Sequence, residues 1–175
     1  MRYALISDIH ANLPALHAVL ADIDTRSAAA TYHLGDLVGY SSAPNEVVAR
    51  LREAGVSGVA GNYDSTVATR YTHCGCRSEN ARQEELAHIS FAWTLAHTSD
   101  ASKAFLGALP FRLDLKPLGG HVAGPTVTLV HATPGNNLVY VTEDRSDEFL
   151  VKMAASAGLA EGDVLCFGHT HKPWH

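Results

Sequence analysis

The chain has 175 residues, 46% hydrophobic and 18% charged, with a net charge of −5. That length suits one domain burying about 70% of its unfolded surface, and the composition is that of a soluble globular protein, not a disordered tail. The acidic balance and the lack of a basic run argue against a surface that wraps duplex nucleic acid, while leaving room for a small or single-stranded nucleic acid at a local site.

Residues 2–7 read as a first buried strand, and Asn12 as the N-cap of a helix with Pro14 in its first turn, where the missing N–H costs nothing. Leu13, Leu16, Val19, Leu20 and Ile23 follow at helical spacing. A short strand over 31–34 leads into Gly35-Asp36, a second helix runs from Pro44 to about Ala54 and is ended by Gly55, and residues 56–60 form the third strand. This β-α-β-α-β rhythm predicts parallel strands with right-handed crossovers. Residues 72–80 are polar and read as a loop; 81–97 read as a helix with Leu86, Ile89, Trp93 and Ala96 on one face. A short helix over 100–109, closed by Pro110, precedes strands at 111–115 and 126–130, with 117–125 as a turn-rich connection. A helix over 146–157 and a strand over 163–167 complete the series. The chain stops four residues after His171, so either the sequence is a fragment or another subunit covers an open sheet edge, which makes self-association an expectation.

No stretch approaches the roughly 18 apolar residues of a membrane helix, so no membrane partner is expected. The N-terminal apolar run meets Asp8 too soon for a signal peptide. Three cysteines, an odd number, do not make a disulfide framework, and the expected setting is the reducing cytoplasm. Eleven histidines against thirteen Lys plus Arg invite a metal or acid–base reading.

Five metal-capable clusters stand out: Asp8 with His10, Gly35-Asp36, Gly61-Asn62-Tyr63-Asp64, His131, and Gly168-His169-Thr170-His171. Four follow apolar, β-rich runs, and Gly35-Asp36 follows the weaker Tyr32-His33-Leu34. Strands that end in polar ligands, with helices between them, bring those ligands to one sheet edge. In extended backbone residues i and i+2 point the same way, so Asp8/His10 and His169/His171 can each reach one ion. Singly, each cluster is commonplace, as a turn former, an Asx turn or a strand-end histidine. Together they read as one metal site assembled from five loops.

The ordered set, D-x-H, G-D, G-N-x-D, H and G-H-x-H, resembles the calcineurin-like metallophosphoesterase superfamily over essentially the whole chain. The stretch Tyr32-His33-Leu34-Gly35-Asp36-Leu37-Val38-Gly39-Tyr40, with Pro44-Asn45-Glu46-Val47-Val48, is similar to its small stand-alone bacterial and archaeal branch. The resemblance implies a single domain over 1–175 with a four-layer α/β/β/α sandwich of two mixed sheets, its C-terminal strands absent or supplied by another subunit. It also implies two divalent metal ions. Asp8, His10 and His171 would hold one, Asn62, His131 and His169 the other, and Asp36 would bridge them. Mixed N/O ligands accept Mn, Fe, Zn or Ni, with Mn favoured. Two ions about 3.5–4 Å apart activate water and stabilise both oxygens of an in-line displacement, so a metal-bridging hydroxide is the implied nucleophile, and Ser7 reads as strand material.

One position departs from the family pattern. Where its Gly-Asn-His-Asp/Glu places a histidine that contacts phosphate and can protonate the leaving group, this chain has Tyr63. A phenol with a reference pKa near ~10 is a poorer acid at neutral pH, which favours aryl esters, cyclic phosphates or phosphoanhydrides. Packing beside the metals is the other reading of Tyr63. Asn62, Tyr63 and Asp64 are the catalytic candidates, Asp64 by orienting a neighbour; Asn62, Tyr63 and His73 are the substrate-binding candidates. Cys74-Gly75-Cys76 reads as a solvent-facing loop bordering the substrate opening, with Arg70, Arg77 and Arg82 as further phosphate contacts or plain surface charge. His17, His88 and His97 read as solvated or capping, and His33 as strand packing or as lying under the site. The implied function is a phosphodiesterase acting on a small nucleotide or short nucleic-acid end, with a phosphomonoesterase or protein phosphatase of the same mechanism, or a non-catalytic metal-binding scaffold, as alternatives.

Overall fold

The computed structural model describes residues 2–78, 80–116 and 124–175. The chain runs β1 (Tyr3–Ile6), α1 (Leu13–Thr25), β2 (Ala30–His33), α2 (Pro44–Glu53), β3 (Ser57–Gly58), α3 (Asn62–Ala68), α4 (Ala81–His97), α5 (Asp100–Gly107), β4 (Arg112–Leu115), β5 (Val127–Val130), α6 (Asp147–Ser156) and β6 (Val164–Cys166). Of the turn-rich connection expected over 117–125, residues 117–123 lie outside the described residues. No helix among the described residues is long and apolar enough to cross a membrane.

The local signals act as expected at most boundaries. Asn12 Oδ1 accepts from the Ala15 amide at 3.1 Å and starts α1, and Gly55, at φ +66°, ends the turn after α2. The first sheet, β1-β2-β3, is parallel throughout, with Tyr3 opposite Ala30 and Ile6 opposite His33. The second, β4-β5-β6, is mixed: β4 and β5 are antiparallel, β5 and β6 parallel. Leu34, Val59 and Leu129 fill the space between the sheets, with Tyr32, Leu113, Leu115, Val127 and Cys166 packed around them. On the other face of the first sheet, Leu16 and Leu20 of α1, Val47 and Leu51 of α2, Val67 of α3, Phe91 of α4 and Leu106 of α5 share one core. The chain leaving α6 is tied to the second sheet, where Arg112 Nη1 donates to the Ala157 carbonyl at 2.7 Å.

Three local expectations change. The third strand is two residues long instead of spanning 56–60, although the Val59 amide still bonds the His33 carbonyl at 3.1 Å. Helix α3 begins at Asn62 itself, inside what reads as a ligand loop. In α4 it is Phe91 and Thr94 that face inward, while Leu86, Ile89 and Trp93 are 48%, 58% and 37% exposed. The longer apolar stripe thus lies outside because one phenylalanine, placed opposite it on the helix, fits the core between α2, α3 and α5.

Candidate metal centre

Because β1, β2 and β3 run in the same direction, the loops after β1 and β2 and the start of α3 emerge at one edge of the first sheet. The loops after β5 and β6, also parallel to each other, arrive at that edge from the second. The first two loops are zipped by backbone bonds: Asp8 N to Gly35 O at 3.1 Å, His10 N to Asp36 O at 2.9 Å and Ala11 N to Leu37 O at 2.8 Å. The paired reach of Asp8/His10 and His169/His171 is not an extended-strand effect. Asp8, His10, His169 and His171 have φ of +53°, +47°, +68° and +56°, so each pair turns inward through left-handed backbone that non-glycine residues rarely adopt.

Asp8, His10 and His171 form one group and Asp36, His131 and His169 another, the ligand atoms within each lying no more than 4.8 Å apart. His10 Nδ1 bonds the Val38 carbonyl at 3.0 Å, leaving an Nε2 lone pair 3.1 Å from His171 Nε2. His171 Nε2 is in turn 3.4 Å from Asp8 Oδ1. In the second group, His131 Nδ1 bonds the Leu34 carbonyl at 2.7 Å, and its Nε2 sits 3.1 Å from Asn62 Oδ1 and 3.2 Å from His169 Nδ1. Asn62 Nδ2 donates to the Cys74 carbonyl at 3.1 Å, which points Oδ1 inward. Asp36 lies between the groups, with Oδ2 at 3.7 Å from His10 Nε2 and 3.5 Å from His131 Nε2, while Oδ1 accepts from the Tyr63 amide at 2.9 Å.

Carboxylate and amide oxygens and imidazole nitrogens therefore converge, and the tautomers set which nitrogens carry protons. Asp8 Oδ1 and His169 Nε2 are buried without a hydrogen-bond partner. A cluster of lone pairs taken out of water is unfavourable unless protons or cations neutralise it, and the residues present fit two divalent ions. Electrostatics keep three of the four imidazoles neutral and able to ligate a cation, while the hydrogen bond to Asp8 raises the fourth, His171. Burial holds His10 and His169 down at about 4, with the carbonyl of Val38 opposing it for His10, and it lowers His131 as well. Burial would raise Asp8, but the hydrogen bonds of His171 and Ser7 pull it down to about 2. Asp36 is pushed up by burial and by the neighbouring Asp64 and Asp8 carboxylates, a charge a bridging dication would balance.

Supporting residues were less visible in the sequence. Ser7 is not inert strand material: its Oγ donates to Asp8 Oδ2 at 2.6 Å, and the His169 amide donates to the same oxygen at 3.0 Å. Asp64 is fully buried and accepts from the Leu37 amide at 2.9 Å and the Gly61 amide at 3.0 Å, joining the loops that carry Asp36 and Asn62. A Cβ on Gly61 would collide with Asp36 Oδ1, and one on Gly168 with Ser7 Oγ. Tyr63 packs its ring against Gly39, His10, Tyr40 and Phe91, yet its hydroxyl is buried with no hydrogen-bond partner. Burial, then Tyr40, raises its pKa far above the ordinary value.

Other candidates fall elsewhere. His73 is exposed, accepts from the Gly75 amide at 3.0 Å and lies outside the main cleft. Cys74 and Cys76 form a disulfide, and Cys74 is buried in the helical core, so this segment is not simply solvent-facing; Cys76 Sγ is 3.3 Å from Asn62 Nδ2. A bridge across two residues is invisible to cysteine counting. Arg70 pairs with Asp100 and Arg82 with Glu85 on the surface, whereas Arg77 borders the cleft. His33 is fully buried, its ring against Gly58. The cleft over the metal ligands encloses about 440 Å³, and Tyr40 and Tyr140, which carried no periodic or spacing signal, line it.

The profile of the calcineurin-like phosphoesterase superfamily domain matches residues 1–174. The chain is 32% identical over 171 residues to the uncharacterized protein MJ0912 of Methanocaldococcus jannaschii, covering 98% of this chain and 63% of that protein. The crystal structure of a metallophosphoesterase from Sphaerobacter thermophilus is similar at 28% identity and a TM-score of 0.70, over 99% of this chain and 62% of that one. The hypothetical protein PH1004 from Pyrococcus horikoshii OT3 shares the fold at 20% identity and a TM-score of 0.75, over 98% and 70% of the two chains. The chain thus spans somewhat under two thirds of the length of the first two relatives. With its ligand types, their order and their convergence in agreement with that match, the chain belongs to the calcineurin-like phosphoesterase superfamily.

Proposed function

We propose that this protein is a dinuclear metal-dependent phosphohydrolase, and within that class a phosphodiesterase acting on nucleotides or short nucleic-acid ends. The observation that carries the reading is the convergence of ligand atoms of Asp8, His10 and His171 beside those of Asn62, His131 and His169, with Asp36 between them. Two divalent ions held there, Mn favoured among Mn, Fe, Zn and Ni, supply Lewis acidity and acidify bound water. The chain's own residues do the rest. Asp36 and Asp8 balance charge, Asn62 offers its carbonyl oxygen while Cys74 holds its amide, and Asp64 fixes the loops of Asp36 and Asn62 as a positioning residue.

Tyr63 favours a diester. With a pKa far above neutrality, its phenol stays protonated and serves as a hydrogen-bond donor, not as a proton source for a poor leaving group. Arg77 is the one Lys or Arg among the described cleft-lining residues, so a monoanionic diester matches the wall better than a dianionic monoester. The test is metal analysis of the purified protein, followed by assays of bis- and mono-p-nitrophenyl phosphate with wild type and Asp36→Asn. Two metals per chain, a preference for the bis-aryl ester and a loss of at least ~100-fold in Asp36→Asn are expected, the loss of a charged group at such a centre exceeding a single donor's contribution. Full activity of Asp36→Asn without bound metal would end the metal-dependent reading, absence of hydrolysis by the metal-loaded wild type would end the enzymatic one, and a preference for the mono-aryl ester would end the diester assignment.

A further inference from the structure

The cleft has two unlike sides. One is the metal-ligand side, with His10, Asp36, Asn62, His169 and His171. The other is organic in character: Tyr40 and Tyr140 flank the centre, Leu86 and Ala87 of α4 form an apolar patch, and Arg77 stands at its border. Tyr40 meets His10 edge-on, ring centroids 4.5 Å apart at 71°, and is 52% exposed. Tyr140 lies over His169 at 4.2 Å and 33°. The two phenols thus sit beside the two ligand groups, one on each. Tyr40 is also held at φ +57°, a backbone state unusual for a bulky side chain and retained only where the surroundings over-determine it. Its ring packs on His10 and Tyr63 along one side and leaves the other half open to the cleft. Its place at the rim of a reactive site is the feature that needs an explanation.

We infer that this side of the cleft binds the organic half of the substrate, a flat aromatic group such as a nucleobase, with Tyr40 as its principal stacking surface and Leu86 as an apolar contact. The inference rests on the phosphodiesterase reading and names which residues select among diesters. A volume of about 440 Å³ lies within the range of small-molecule sites. The mixture of aromatic, apolar and hydroxyl-bearing residues, with Ser90 and Thr170 also lining it, matches a base and sugar better than a purely apolar chain. Arg77 is positioned for a further anionic group of the same ligand.

The experiment compares two properties of the manganese-loaded protein. Calorimetry measures binding of AMP and of ribose 5-phosphate, which differ only in the base. Steady-state kinetics compares thymidine 5′-(p-nitrophenyl) phosphate with methyl p-nitrophenyl phosphate. Base stacking on an aromatic side chain changes affinity by about 5- to 150-fold, and a half-exposed ring belongs near the lower end. Wild type should bind AMP about 10-fold tighter than ribose 5-phosphate, and Tyr40→Ala should abolish the difference. The same variant should raise KM for the thymidine ester about 5- to 10-fold with kcat nearly unchanged and leave the methyl ester unaffected. Tyr40→Phe should behave as wild type, and Leu86→Ser should reproduce a smaller part of the effect. Equal binding of the two phosphates by wild type, or equal losses on both esters in Tyr40→Ala, overturns the inference. Absence of hydrolysis of every diester alongside a Tyr40-dependent AMP preference would overturn the diesterase reading and leave the binding site standing.

Discussion

Replacing Ser7 with alanine removes one oxygen and tests whether the site depends on residues behind its ligands. Ser7 Oγ donates to Asp8 Oδ2 at 2.6 Å, and the Asp8 side chain is only 7% exposed, so water does not readily take over that bond. A hydrogen bond to a charged group contributes about 1.5–3 kcal/mol. Asp8 keeps its second donor, the His169 amide, so the carboxylate stays in place but becomes more basic and less well aimed. Partners of metal ligands typically change metal affinity by about 10- to 100-fold when removed, and with one of two donors retained the lower figure applies, about 1.4 kcal/mol by the tenfold rule. The effect should be larger on the Asp8, His10 and His171 group than on the other, which Ser7 reaches only through the His169 amide on Asp8 Oδ2. Two-site calorimetric titration with Mn²⁺ at fixed pH reads both sites. Weakening of the two sites to the same extent, or of neither, refutes the assignment of Ser7 as the residue that orients Asp8.

Acid should destabilise the metal-free protein through His33, which burial holds at about 4 against an ordinary 6.5. The unfolded chain takes up a proton that the folded chain refuses, so stability is present above pH 6.5 and falls as pH drops towards 4, by up to about 3 kcal/mol from this group. Urea midpoints between pH 7 and 4.5 should show a flatter profile in His33→Leu, and an unchanged slope would contradict the burial argument. Tyr63→His should raise kcat on alkyl phosphomonoesters at least about 10-fold, a fraction of the 10²–10⁴ that a positioned acid contributes. If only the melting temperature moves, Tyr63 is a packing residue.

How much of this was legible beforehand depended on how local the signal was. The order of strands and helices followed from apolar runs, from Asn12 and Pro14 at the start of α1 and from Gly55 after α2, all short-range features. The seven candidate ligands were legible because they lie in the short segments that follow strands, so that knowing the strands places them, Asn62 alone falling on the first turn of a helix. Leu86, Ile89 and Trp93 misled because periodicity gives a helix's apolar face without saying what lies against it: Leu86 borders the cleft, and Ile89 and Trp93 are exposed. Helix α3 was hidden by Gly61-Asn62, residues that usually mark a turn, and is started by Asp64 reaching back to the Gly61 amide. Ser7 and Tyr140 have no signature, and Tyr40, although it closes the stretch similar to the family's small branch, shows no role there, since these roles depend on contacts with residues such as His10 and His169 from distant parts of the chain.

The left-handed backbone at the site connects its geometry to its chemistry. Asp8, His10, Asp36, His169 and His171 are all at positive φ, and each such residue costs about 1–2 kcal/mol against a right-handed one. Five together amount to about 5–10 kcal/mol, which is comparable with the whole stability of a small domain. Glycine at those five positions would relieve the strain but would also remove the ligands. Part of the cost is offset by the amide bonds from Asp8, His10 and Ala11 to the loop after β2 and by the His169 amide on Asp8. Those bonds lock the loops but leave the close nitrogen pairs of His10 and His171 and of His131 and His169 to be satisfied by a proton or a cation. Cations placed among them would satisfy these nitrogens and the carboxylates together, so the backbone strain and the clustered ligand atoms fit one requirement, that side chains from five loops turn towards the same place.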